Sequence, residues 1–153
     1  MKGAAVIQMN SGPEVGPNLR RAARLLARAA EAGAALAVLP ENFACMPATV
    51  ADRRRAAEAD GAGPIQDFLA ASAARYKFWI VGGSLPIRTR GKRFAAAVMV
   101  YDADGRRRAR YDKMHLFDVG LPDRRESYRE SRSFVAGREP VAVDTPLGRM
   151  GLS

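Results

Sequence analysis

Lysine is scarce in this chain, and one lysine sits in apolar company. Of 25 basic residues only four are lysines, and Lys113 lies in Tyr111-Asp112-Lys113-Met114-His115-Leu116-Phe117. A lone lysine is surface charge by default. The apolar Met114, Leu116 and Phe117 after it argue instead for partial burial, and a buried ammonium needs carboxylate partners. Glu41 and Glu130 are the candidates. Glu41 follows Leu36-Ala37-Val38-Leu39-Pro40, a strand-like run that must stop pairing at a residue with no amide hydrogen. In open sheets of alternating strands and helices, ligands bind at the carboxyl ends of the strands, so Glu41 stands where an acid or base would be useful. Its default role is that of a solvated loop residue. Glu130 lies in Glu126-Ser127-Tyr128-Arg129-Glu130-Ser131, within a stretch of little periodicity.

Two further side chains invite a chemical role. Cys45 is the only thiol and follows Glu41 by four residues. A nucleophilic cysteine needs a lowered pKa and a nearby base, whereas a free cysteine by default packs as a small hydrophobe. His115 has a side chain suited to proton transfer, but beside a lysine and in an apolar run it reads as a hydrogen-bonded structural residue.

Composition narrows the classes. A chain of 153 residues fits one domain and can bury about 70% of its unfolded surface. Its 48% apolar and 27% charged content fits a globular protein and argues against disorder. No apolar run approaches the roughly 20 residues of a membrane helix, and Met1 to Gln8 turns polar too early for a signal peptide. A single cysteine allows no internal disulfide, in keeping with a reducing, cytoplasmic setting. One histidine and one cysteine cannot furnish a four-ligand zinc site, and no metal or cofactor is expected. The net charge of +9 raises the question of nucleic acid. The arginines are scattered, however, with no interleaved aromatic residues to form a stacking platform, so nucleic acid is disfavoured as a partner.

The elements that would position these residues can be read in order. Ala4 to Met9 reads as a strand. Leu19, Ala22, Ala23, Leu26, Ala29 and Ala30 recur with helical spacing after Asn18, the expected N-cap, and Gly33 is a natural stop. Leu36 to Leu39 completes a strand-helix-strand unit, which makes parallel neighbours. A charged helix is expected over Thr49 to Ala59 and a core-facing one from Ile65 to Arg75. Phe78 to Val81 reads as a third strand closed by Gly82-Gly83. Phe94 to Tyr101 and Arg106 to Tyr111 flank Asp102-Ala103-Asp104-Gly105, a hairpin signal. His115 to Glu139 reads as a long irregular segment. Val141 to Val143 and Arg149 to Ser153 form a second hairpin across Thr145 to Gly148.

Leu39-Pro40-Glu41-Asn42, then Tyr111 to Val119, then Gly148-Arg149-Met150-Gly151-Leu152-Ser153 together resemble the nitrilase superfamily of carbon-nitrogen hydrolases. The likeness is to the Nit branch of omega-amidase and deaminated-glutathione-amidase type, and it runs over all 153 residues. Gln8-Met9 and Val81-Gly82-Gly83-Ser84 take part in it. The resemblance implies an α/β fold, the N-terminal part of an α-β-β-α sandwich with a mixed sheet. It implies a Glu-Lys-Cys triad in which Glu41 is the general base, Lys113 the catalytic lysine and Glu130 an additional glutamate that holds the lysine or orients substrate.

In the family the strand resembling Gly148 to Ser153 runs into the nucleophilic cysteine. The expectation is therefore one hydrolase domain over 1–153, incomplete at its C-terminus, with the nucleophile just beyond Ser153. The implied substrate is a small primary amide, hydrolysed through a thioester without a cofactor by an enzyme that is a homo-oligomer when complete. The alternatives are a non-catalytic binding module that keeps the pocket, and a basic nucleic-acid-binding protein.

Overall fold

The computed structural model describes residues 3–121 and 126–153. Strands β1 (Gly3–Val6), β2 (Ala34–Val38), β3 (Trp79–Arg88), β4 (Phe94–Tyr101) and β5 (Arg107–Asp112) neighbour one another in that order. The first three are parallel and the last two antiparallel to their neighbours, so the sheet is mixed, as expected. The parallel pairs need crossovers, which contain α1 (Val15–Glu31) in one case and α2 (Val50–Ala56) and α3 (Pro64–Tyr76) in the other.

Strand alternation divides the apolar residues between two faces. Ala37, Leu39, Ile80, Ala97 and Met99 are fully or nearly fully buried on the face that receives Leu26 of α1 and Leu69 of α3. Leu36, Val81, Val100 and Tyr111 form a second cluster with Leu152, and Val141 and Val143 pack against it. That face is covered by the hairpin of β9 (Val141–Thr145) and β10 (Gly148–Leu152). The layers are helices, main sheet and hairpin.

The edge of β4 organises the rest. β5 pairs along Ala97 to Tyr101, and the chain then leaves the edge at Lys113, whose N–H still donates to Ala96 O at 2.9 Å. It returns as β8 (Phe134–Val135), parallel to the start of β4 with Phe134 opposite Phe94. Between departure and return lies an antiparallel arm, β6 (Asp118–Leu121) with β7 (Glu126–Arg129), and a 3-10 turn over Glu130–Arg132. Among its described residues the segment His115 to Glu139 thus holds three short strands and a 3-10 turn where an irregular stretch was expected. Its strands are too short for two-residue alternation to stand out. Arg124 and Arg125 lie outside the described residues.

Three further expectations are corrected. Asn18 is not an N-cap: α1 begins at Val15, with Pro17 in the first turn, where its missing N–H costs nothing. The Asn18 amide instead donates to Gly12 O and Ala44 O, at 2.8 and 2.9 Å, and accepts from Gly12 N at 3.0 Å. It thereby ties the start of α1 to the turn after Glu41. The second helix is shorter than Thr49 to Ala59, because Thr49 and Asp52 cap it reciprocally and it ends at Ala56. Gly82-Gly83 does not close β3, which continues to Arg88 with an irregular register between Gly82 and Leu85.

Those glycines are places of close approach rather than strand ends. A Cβ on Gly83 would lie 1.9 Å from Pro40 O, so β3 can pass the turn at Pro40 only without a side chain there. Gly83→Ala is therefore expected to lower the unfolding free energy by about 2–3 kcal/mol through overpacking. Urea unfolding measures this, and a loss below ~0.5 kcal/mol, the range of a neutral surface change, would mean that the turn yields freely.

Candidate active site

Glu41 is presented by a turn that its neighbours lock. β2 ends at Val38, Leu39 N–H donates to Val81 O at 2.9 Å, and Pro40 stops the ladder. The chain reverses through Asn42 in the left-handed region, φ 54°, which asparagine tolerates better than most residues. Asn42 N–H donates to Ser84 O at 3.2 Å, with the Ser84 hydroxyl oxygen at 3.3 Å. The Glu41 side chain is left 55% exposed at the rim of the sheet.

Lys113 follows β5, which runs in the same direction as β2, so it leaves the same end of the sheet as Glu41. Its backbone is pinned on both sides, by its own N–H to Ala96 O and by Gly137 N–H to Lys113 O, each at 2.9 Å. Gly137 can approach so closely because it lacks a Cβ, which would lie 2.0 Å from Asp112 O. The buried Tyr111 hydroxyl accepts from Met114 N–H at 3.1 Å and steadies the next residue. Lys113 Nζ then lies 2.9 Å from Glu41 Oε1 and 3.0 Å from Glu130 Oε2.

Glu130 is the most enclosed of the three, its side chain 16% exposed. Its Oε2 also accepts from Phe117 N–H at 2.7 Å, and its own N–H donates to Phe117 O at 3.2 Å. Asp118, held well below the usual carboxylate range by the Ser131 hydroxyl and N–H, closes the base of the arm beside it. Glu41, Lys113 and Glu130, named from sequence, are brought together at one point.

The electrostatics favour a permanent cation. Burial alone would push the Lys113 ammonium down, but hydrogen bonds and charge from Glu41 and Glu130 outweigh it, and the pKa is raised above the ordinary lysine value. Lys113 thus stays protonated through neutral pH. Its contribution to stability is present below the ordinary lysine range and is lost only as pH rises through the raised value.

Two hollows share Glu41 and Lys113. The smaller, about 230 Å³, is lined also by Leu39, Ser84, Tyr111 and Ser153. The larger, about 390 Å³, extends to Glu130, Met46, Phe117 and Arg53. Another hollow of about 430 Å³ lies beside Glu58, but that carboxylate is committed to capping α3, accepting from Ile65 N–H and from Gln66.

Cys45 lines neither shared hollow. It is 4% exposed, its thiol is directed to Pro13 O at 3.2 Å, and burial with the charge of Asp52 pushes its pKa up against the pull of Arg53 and Arg55. That is the environment of an inert thiol. His115 is exposed and makes no hydrogen bond among the described residues, so it is not the hydrogen-bonded structural residue expected.

Ser84, Tyr111 and Arg53 were not singled out from sequence as parts of a site. For Arg53 a signal existed. In a helix capped at Thr49, positions 52, 53 and 56 share the inward side, so the first of three consecutive arginines turns in.

Glu130→Gln removes one of the two carboxylates holding the ammonium. The Lys113 Nζ titration followed by NMR is expected to move down, and the Phe117 amide to exchange faster with solvent. An unmoved titration would show that Glu41 alone holds the lysine.

The carbon-nitrogen hydrolase family model matches residues 3–153. A deaminated glutathione amidase from Yersinia enterocolitica is 35% identical over 151 residues, which are 97% of this chain and 52% of that protein. The chloroplastic omega-amidase of Arabidopsis thaliana is 34% identical over 138 residues, 88% of this chain and 37% of that one. The chain therefore spans about half, or less, of these relatives' length. Among solved structures, the C. elegans NitFhit protein superposes with a TM-score of 0.83 at 28% identity, covering 100% of this chain and 38% of that one. Saccharomyces cerevisiae Nit3, of the nitrilase superfamily, gives 0.79 at 26% identity, covering 97% and 53%. With this fold, this order of motifs and these relatives, the chain belongs to the carbon-nitrogen hydrolase family and to its Nit branch.

Proposed function

We propose that these residues are the base and lysine of an amidase that converts a small primary amide to carboxylate and ammonia through a cysteine thioester. The observation that carries the reading is the placement of Lys113 Nζ between Glu41 and Glu130, on the wall shared by two hollows. Ser153 lines the smaller of them, and on the family pattern the nucleophilic cysteine follows that strand.

The division of labour follows from charge. A thiol with an ordinary pKa of about 8.5 is mostly protonated at neutral pH, so attack on an amide carbon needs a base. Glu41 has one oxygen on Lys113 and a half-exposed side chain, so it can take that proton and deliver it to the departing nitrogen. The tetrahedral intermediate carries negative charge on oxygen. Lys113 is fixed and protonated before the reaction starts, and a fixed donor of this kind is worth roughly 3 kcal/mol to the transition state. Release of ammonia leaves a thioester, and Glu41 then serves a water in the same way. Glu130 orients the lysine without touching the substrate. With this reading go a cytoplasmic setting and a homo-oligomeric complete enzyme.

In the complete protein, Glu41→Gln and Lys113→Ala are each expected to reduce ammonia release by about 10³-fold or more. Retention of full activity by either variant removes the assignment.

A further inference from the structure

The base of the arm is closed by two acids, each of which grips the other's segment. Phe117-Asp118 leads into β6 and Glu130-Ser131 follows β7. The Glu130 carboxylate crosses to Phe117, accepting from its N–H at 2.7 Å, while Glu130 N–H donates to Phe117 O at 3.2 Å. The Asp118 carboxylate crosses the other way. Its Oδ1 accepts from Ser131 N–H at 3.0 Å and its Oδ2 from the Ser131 hydroxyl at 2.5 Å. Both oxygens of Asp118 are thus committed to the residue next to Glu130.

Glu130 needs that support. Its oxygens lie 3.4 and 3.0 Å from Lys113 Nζ, and Oε2 is shared with the Phe117 amide. A glutamate side chain loses much rotamer freedom in holding such a geometry, so both contacts persist only if the backbone beneath it stays in place. That backbone opens a single 3-10 turn, Glu130–Arg132, whose hydrogen bonds are poorer than those of an α-helix and whose N-terminal residue supplies no side-chain cap. The far end of the turn is tied to β4, Ser133 O accepting from Phe94 N–H at 2.9 Å. At the near end Ser131 is held by Asp118 and by Arg93, which donates to Ser131 O at 3.2 Å. Only an ionised acid can accept from both Ser131 donors without turning one oxygen into a donor itself. The Ser131 contacts, with the nearby charge of Arg129, keep Asp118 in that form at neutral pH.

We propose that Asp118 is a positioning residue for the site: by gripping Ser131 it fixes the turn that aims the Glu130 carboxylate at Lys113. This rests on the amidase reading and extends the support of the lysine one residue beyond its two carboxylate partners. Asp118 lines neither of the hollows that share Glu41 and Lys113, so it acts through Glu130 and not on the substrate.

The test is made in the complete protein with propionamide. Asp118→Asn keeps the shape and one acceptor, and is expected to lower kcat for ammonia release about tenfold with KM nearly unchanged, as for a weakened transition-state contact. The Lys113 Nζ titration followed by NMR is expected to move down, in the direction that Glu130→Gln moves it but less far. Ser131→Ala is expected to give the same changes more weakly, because the Ser131 N–H still donates, whereas Ser131→Thr keeps the hydroxyl and restores both readouts. The deciding variant is double. In a Glu130→Gln background, Asp118→Asn is expected to change kcat by less than about twofold and to leave the titration where Glu130→Gln alone puts it, since coupled residues are not additive. Additive losses in the double variant, or a Lys113 titration unmoved by Asp118→Asn, overturn the proposal. If the complete protein releases no ammonia but Asp118→Asn moves the titration only while Glu130 is present, the grip on the lysine stands and the amidase reading falls.

Discussion

The site depends on one ammonium shared by two carboxylates. Glu41 and Lys113 are 72 residues apart, Glu130 another 17 on, and the three meet only because Lys113 lies where the chain leaves the edge of β4. The ion pairs themselves add little to stability: the Glu41 side is more than half exposed, and partly buried pairs lose in desolvation much of what they gain in attraction. Their value is positional. Two charges on one cation hold its direction, and backbone hydrogen bonds on either side of Lys113 hold its origin. A flexible four-carbon stem would otherwise sample many rotamers, and a fixed donor acts in catalysis only if that freedom is lost before the substrate arrives.

The basic character of the chain looks different once its arginines are placed. Arg107 and Arg110 converge on Asp60, Arg110 also pairs with Asp112, and Arg108 lies 3.6 Å from Asp102. Along β5 the positive charge is thus answered locally by acidic partners. Most of these pairs are exposed enough to contribute at most about 1 kcal/mol each. They nonetheless break up what would have been a continuous basic strip. Arg53 stands apart because its company is an aromatic ring and a hydroxyl.

Much of this architecture was legible in the residues. Pro40 marked the end of β2, Asp102 to Gly105 marked the first hairpin, and helical spacing marked α1 and α3, because in each case a local rule decides the outcome. The union of Glu41 and Lys113 was legible through the order of three motifs, and Glu130 joined them because a partly buried ammonium needs carboxylate partners. A contact across 72 residues is a property of topology, and no spacing rule reaches that far. What escaped was decided by neighbours distant in sequence. Gly82-Gly83 looks like a strand terminator until Leu69 and the Pro40 carbonyl crowd against it. Asn18 looks like a cap until Gly12 and Ala44 claim its amide. The arm between Asp118 and Arg129 carries too few residues per strand for alternation to emerge.

The departure and return of the chain at β4 have an evolutionary consequence. Lys113 and Ser133 are both moored to that strand, one through Ala96 and the other through Phe94, so the excursion between them has fixed ends. Phe117 and Arg129, which line the hollow between the two moorings, can change without moving either. The wall of the hollow and the held ammonium thereby rest on separately mutable positions of one chain. A lineage could reshape that wall while the lysine and its two carboxylates stay in place.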